Sequence, residues 1–98
     1  LLGALLGAPS ATAQSANDIC ANAISIGPGL SGPYTNVGAN TELTWPCGAG
    51  GVDLWFTHTA TCSGPISFDT CDTRTNFDTV IEVLSNDCNN PLSLACND

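Results

Sequence analysis

The sequence contains no methionine and no lysine, one arginine (Arg74) and one histidine (His58). A single cation cannot neutralise several phosphates, so nucleic acid and anionic membrane surfaces are poor partners. One imidazole cannot supply the histidine set of a catalytic zinc site. Long apolar runs are also missing. The most apolar stretch, Leu1–Ala8, is far shorter than the roughly 20 residues a spanning helix needs. No window repeats apolar residues at the helical period, so no long amphipathic helix is expected. Charge itself is scarce and one-sided: 10% of residues are charged, nine acids against one base, for a net charge of −8. The hydrophobic fraction is an ordinary 43%, which argues against a disordered polyelectrolyte. A length of 98 residues accommodates one domain.

The N-terminal run is followed by Ala11-Thr12-Ala13, the small-x-small pattern of a signal-peptidase site. Residues 1–13 read as part of a secretory signal peptide, with residues 14–98 as the mature module. Localisation is therefore expected to be secreted or at the cell surface. The chain ends at Ala95-Cys96-Asn97-Asp98, and the module is expected to be incomplete there.

Six cysteines, Cys20, Cys47, Cys62, Cys71, Cys88 and Cys96, fit an oxidising compartment. No C-x-x-C spacing is present, which favours disulfides over a zinc knuckle. Six cysteines allow 15 connectivities. Short turn-containing segments favour Cys62–Cys71 and Cys88–Cys96, leaving Cys20–Cys47 to close the longest loop. Each bridge is worth about 2–4 kcal/mol, which a small core needs.

Turn signals are dense: Gly27-Pro28-Gly29, Ser31-Gly32-Pro33, Cys47–Gly51, Ser63-Gly64-Pro65 and Asn89-Asn90-Pro91. Between them lie short β-favouring runs at Ala23–Ile26, Tyr34–Val37, Glu42–Trp45, Val52–Thr59, Ile66–Thr70 and Asp78–Ser85. Alternation puts Val52, Leu54 and Phe56 on one face, and Ile66 and Phe68 inward. Asp78–Ser85 is apolar on both faces except at Glu82, as in a strand covered on both sides. One helical turn is expected in Asn17–Ile24, capped by Asn17 or Asp18. The fold class is all-β, an antiparallel sandwich.

Chemistry-bearing residues are few. Hydrolysis by a serine nucleophile needs a base beside it, and His58 alone could serve. Gly29-Leu30-Ser31-Gly32 reads as a turn and not as a nucleophile elbow. His58 shares the parity of Leu54 and Phe56 and is expected to close the end of that face. Trp45, Trp55 and Tyr34 could form a sugar-stacking platform, but tryptophans more often cover a core. Arg74 is expected to pair with Asp72 or Asp69 at the surface. Asp78, ahead of a hydrophobic strand, is expected to close an Asx turn, with Phe77 anchoring its loop. No enzymatic activity is expected.

An ordered series of short motifs carries a resemblance. Asn17-Asp18-x-Cys20 comes first, followed by Cys47-Gly48, Asp53-Leu54-Trp55-Phe56 and Asp69-Thr70-Cys71. Phe77-Asp78-Thr79-Val80-Ile81-Glu82-Val83 and Ala95-Cys96-Asn97-Asp98 complete it. This series resembles the bacterial pre-peptidase C-terminal (PPC) domain, across roughly Asn17 to Asp98. The family pattern has Val, Tyr and Tyr where this chain has Leu54, Phe56 and Leu84. The resemblance implies a jelly-roll-like β-sandwich and a non-catalytic accessory or adhesion module of a secreted or cell-surface protein. Its partners would be other domains of the same chain or an extracellular polymer. The resemblance also implies calcium as cofactor, held at the matching positions Asn17, Asp18 and Asp53. Hard oxygen donors of this kind suit calcium. The competing account has Asn17 and Asp18 capping a turn while Asp53 bonds strand-entry amides. A carbohydrate-binding jelly roll and a purely structural spacer repeat are the alternative functions.

Overall fold

The computed structural model describes residues 15–41, 51–85 and 87–98. The expected signal segment (1–13), the Glu42–Trp45 run and Cys47 lie outside the described residues. The described chain is mostly non-helical, with a few short strands in two small sheets.

Two 3-10 turns, Ala16–Asp18 and Cys20–Asn22, occupy the segment where one helical turn is expected. Neither is capped by Asn17 or Asp18. Ser15 and Ile19 hold the cap positions, and no side chain bonds the turn amides there. The side chain of Asn17 is committed elsewhere, as described below.

Strand β1 (Ile24–Ser25) pairs in parallel with β2 (Phe56–Thr57). The expected run at Val52–Thr59 thus contributes only its centre. Backbone bonds Ile24 N–H to Trp55 O (3.1 Å) and Ile26 N–H to Thr57 O (2.9 Å) extend this pairing. His58 closes its end, with Nδ1 placed 3.1 Å from the Ile26 carbonyl, the geometry of a ring N–H donating. Its ring also meets Phe68 edge-on, with centroids 5.7 Å apart.

Strand β3 (Ile81–Ser85) pairs antiparallel with β4 (Leu92–Asn97). The hairpin turn is fixed by Asp87, whose Oδ1 accepts the N–H groups of Asn89 and Asn90 (3.0 and 3.1 Å). Val83 faces Ala95 whereas Leu84 faces Ser93, so Leu94 is an extra residue and β4 carries a bulge. All five β3 residues are half-buried, as suits an apolar strand with material on both sides. Antiparallel pairing is thus realised in this hairpin but not between β1 and β2.

The expected inward faces are not sealed. Ile66, Phe68, Val52 and Phe56 keep substantial exposure, and Ile66–Thr70 and Tyr34–Val37 form no strand. Among the described residues the buried set is Ala39 with the polar Asn17, Asp18 and Asp53. The apolar residues instead line open grooves. One of about 250 Å³ runs between Ile66, Phe68, Ile81, Val83 and Ala95.

The disulfide pairing differs from the expected one. Cys20 bonds Cys88, with Cα atoms 5.7 Å apart, and Cys62 and Cys71 are free and exposed. Cys96 is also disulfide-bonded. Hairpin geometry explains why Cys88 does not take Cys96. Cys88 sits in the turn, whereas Cys96 lies four steps into β4 from Leu92, opposite Glu82. Four strand steps span roughly 13 Å, beyond the roughly 7 Å that a bridge tolerates. The Cys20–Cys88 bridge closes a 68-residue separation, so loop entropy assigns it about 4 kcal/mol. Cys71 is held instead by an Asx turn, its N–H donating to Asp69 Oδ1 (2.9 Å).

The same loop contains the ion pair expected for Arg74. Its Nε and its backbone N–H both donate to Asp72 Oδ1 at 2.8 Å. The Arg74 side-chain bond, more than any other influence, holds the Asp72 carboxyl below its ordinary range. Asp78 is exposed, and the Asx turns fall at Asp69, Asp72 and Asp87 in its place. Phe77 is exposed as well, so it does not anchor the loop.

Two outcomes follow. Alkylation of the native, unreduced protein should label Cys62 and Cys71, and peptide mapping should recover a Cys20–Cys88 peptide. A carboxylate with a depressed folded pKa adds stability above its unfolded pKa and loses it as pH falls through the folded value. In an NMR titration Asp72 should therefore titrate below the ordinary Asp value of about 3.9, and Arg74→Ala should return it there.

Candidate functional site

Three segments meet where the chain is most deeply buried: Ser15–Asp18, Thr35–Thr41 and Gly51–Trp55. A turn delivers the middle one. Ala39 N–H donates to Asn36 O (3.0 Å) around Gly38, whose φ of 82° is a conformation that favours glycine. Peripheral bonds then tie the segments together. Ser15 Oγ donates to Thr35 O (2.7 Å), and Thr41 Oγ1 donates to Gly51 O (2.7 Å).

Asn17 is the hinge of this junction. Its carbonyl accepts the Trp55 N–H (2.8 Å), and its Nδ2 donates to the Trp55 carbonyl (3.0 Å). One residue thus satisfies both backbone groups of a residue 38 positions away, as a neighbouring strand would. Asn17 is 1% exposed. Asn40 provides the second link. Its carbonyl accepts the Asp53 N–H (3.2 Å), and its Nδ2 donates to Asp18 Oδ2 (3.3 Å). Asp18 and Asp53 are 7% and 4% exposed.

The structure therefore gathers Asn17, Asp18 and Asp53, which are distant in sequence, into one buried cluster. Burying carboxylates is costly without compensation from donors or cations. The Asn40 amide donates to Asp18, and both Asp18 and Asp53 make further interactions. The donor set is all oxygen: two carboxylates and the Asn17 Oδ1, left as acceptor because Nδ2 is engaged. This chemistry fits a hard cation such as calcium. Among the described residues no group of three His, Cys, Asp or Glu side chains converges.

Asn40 was not anticipated from the sequence, because an asparagine near Gly38 reads as a turn residue. Trp55 is half-buried, and its indole Nε1 is buried with no hydrogen-bond partner. It is neither a fully covered core residue nor an open platform. Tyr34 packs against Phe56 with ring centroids 4.8 Å apart, and Trp45 lies outside the described residues. Among the described residues no helix is long and apolar enough to cross a membrane.

No family model matches the sequence, and no curated protein or solved structure matches it.

The Asn17 contact predicts a graded outcome. Asn17→Ala removes the donor to Trp55 O, which retains the Ile24 N–H. The expected loss in a denaturant titration is about 1–2 kcal/mol. Asp78→Asn, at an exposed position, should stay within about 0.5 kcal/mol.

Proposed function

We propose that this chain is a non-catalytic accessory or adhesion module of an exported protein. In this reading it is a jelly-roll-like β-sandwich akin to the PPC domain, stabilised by calcium at Asn17, Asp18 and Asp53. The observation that carries the reading is the burial of these residues. The three positions that the sequence resemblance assigns to calcium are the three buried polar residues among those described. They come from two distant segments and are joined through Asn40.

The chain's own residues supply three of the oxygen-bearing side chains that such a site needs. Asn17 fixes the N-terminal segment against Trp55, and so sets the position of Asp18. Asn40 holds Asp18 and the backbone of Asp53 in one place. Calcium, when bound, would offset the mutual repulsion of the two carboxylates and lock the three segments together. Its usual six to eight oxygens would be completed by backbone carbonyls or water. The Cys20–Cys88 bridge and the bonded Cys96 are compatible with an extracellular setting. The net charge of −8 disfavours nucleic acid and anionic surfaces as partners. Other domains of the same chain, or an extracellular polymer, remain as partners.

Calorimetric titration of the full chain with calcium tests the site. Binding should raise the unfolding free energy by about 1.4 kcal/mol at a calcium concentration about ten times Kd. Asp18→Asn and Asp53→Asn should each abolish the heat. The absence of heat at millimolar calcium would remove the metal from the reading.

A further inference from the structure

A second feature of the fold points to a ligand independently of the Asn17 cluster. Both small sheets and the loops 27–36 and 58–79 border one open cleft of about 1950 Å³. Every described tyrosine, tryptophan and phenylalanine lines it: Tyr34, Trp55, Phe56, Phe68 and Phe77. Its volume exceeds the roughly 300–1,000 Å³ of an ordinary small-molecule pocket, so a chain-like ligand suits it better.

Two polar groups in its lining have no hydrogen-bond partner among the described residues. Trp55 Nε1 is a buried donor without an acceptor. Glu82, in the middle of β3, has both carboxylate oxygens buried with no hydrogen bond. Both cationic side chains of this sequence are engaged elsewhere. The one arginine is bonded to Asp72 and Gly32 O, and the one histidine to Ile26 O. Further carboxylates line the same cleft, Asp69, Asp78 and Asp87 among them. Neither cationic side chain of this sequence pairs with Glu82, so a basic group of a ligand would meet an open acceptor there.

We infer that the cleft binds an extended peptide segment carrying lysine or arginine. The basic side chain approaches Glu82, and a peptide carbonyl of the ligand accepts the Trp55 Nε1–H. A peptide satisfies both orphaned groups at once, whereas a simple organic cation satisfies only one. Glu82 as a residue is half-buried and lines the cleft. The aromatic faces add cation–π attraction to the basic group. A second copy of this chain is a poor occupant, since each carries a net charge of −8. This inference deepens the accessory-module reading by naming the kind of polymer bound, and it does not depend on calcium.

The test is calorimetry of the full chain with a capped peptide of alternating Lys and Val. Its length should be about eight residues, that of an ordinary strand. The Glu–Val and Ser–Val counterparts are the controls. The Lys–Val peptide should bind and be recovered intact, bind more weakly as salt rises, and produce a shift in tryptophan emission. The controls should bind at least about tenfold more weakly. Glu82→Gln should weaken Lys–Val binding at least about tenfold, whereas Asp98→Asn, outside the cleft, should not. Circular dichroism of Glu82→Gln checks that the fold is kept, and if it is not, Glu82→Asp takes its place. Equal binding of all three peptides, no binding at all, or indifference to the Glu82 change would overturn the inference. So would concentration-dependent self-association that blocks the cleft. Cleavage of the peptide would instead overturn the non-catalytic reading and leave the binding inference standing.

Discussion

The described structure depends on a single side chain standing in for a strand. Asn17 meets both backbone groups of Trp55, one with its own carbonyl and one with its amide. Buried peptide groups must be paired, and most sheets meet that demand with ladders several residues long. Here β1 and β2 are two residues each, so Asn17 extends their pairing by one step. Asp18 then falls beside Asn40, and Asp53 beside the Asn40 backbone. The arrangement of the buried carboxylates is a consequence of how the backbone of Trp55 is satisfied.

The distribution of apolar surface follows from the same shortage of ladder. Strands this brief cannot present a continuous face, so Val52, Phe56, Ile66 and Phe68 stay partly open to water. Covalent and ionic ties hold the loops in compensation. The Cys20–Cys88 bridge fastens the hairpin tip to the N-terminal turns. The Asp72–Arg74 pair orders the loop before β3, though at a solvated surface its energetic weight is small.

Part of the local structure was legible in the sequence, and the reasons differ from residue to residue. Asp78–Ser85 was readable because β-branched residues on both faces leave few alternatives, and Ile81–Ser85 is indeed the longer part of the run in strand form. Arg74 was readable because a lone base among acids has close partners on either side. The burial of Asn17, Asp18 and Asp53 and the joining of Asp18 and Asp53 through Asn40 were not legible, since they arise from contacts between distant segments. The inward parity assigned to Ile66 and Phe68 did not hold, because alternation specifies a face only where a strand forms. The cysteine pairing was misread because short loops were preferred. A hairpin keeps its turn and the far end of its strand apart, so Cys88 must look elsewhere, and Cys20 is brought to it. The isolation of Glu82 was half visible: an acid in an apolar strand of a chain with one base has few places to find a counter-charge.

The extra residue in β4 has a further effect. Leu94 interrupts the hydrogen-bond rhythm midway along β4, so the strand is not a regular template there. An irregular border of that kind works against edge-to-edge growth by like chains into fibrils.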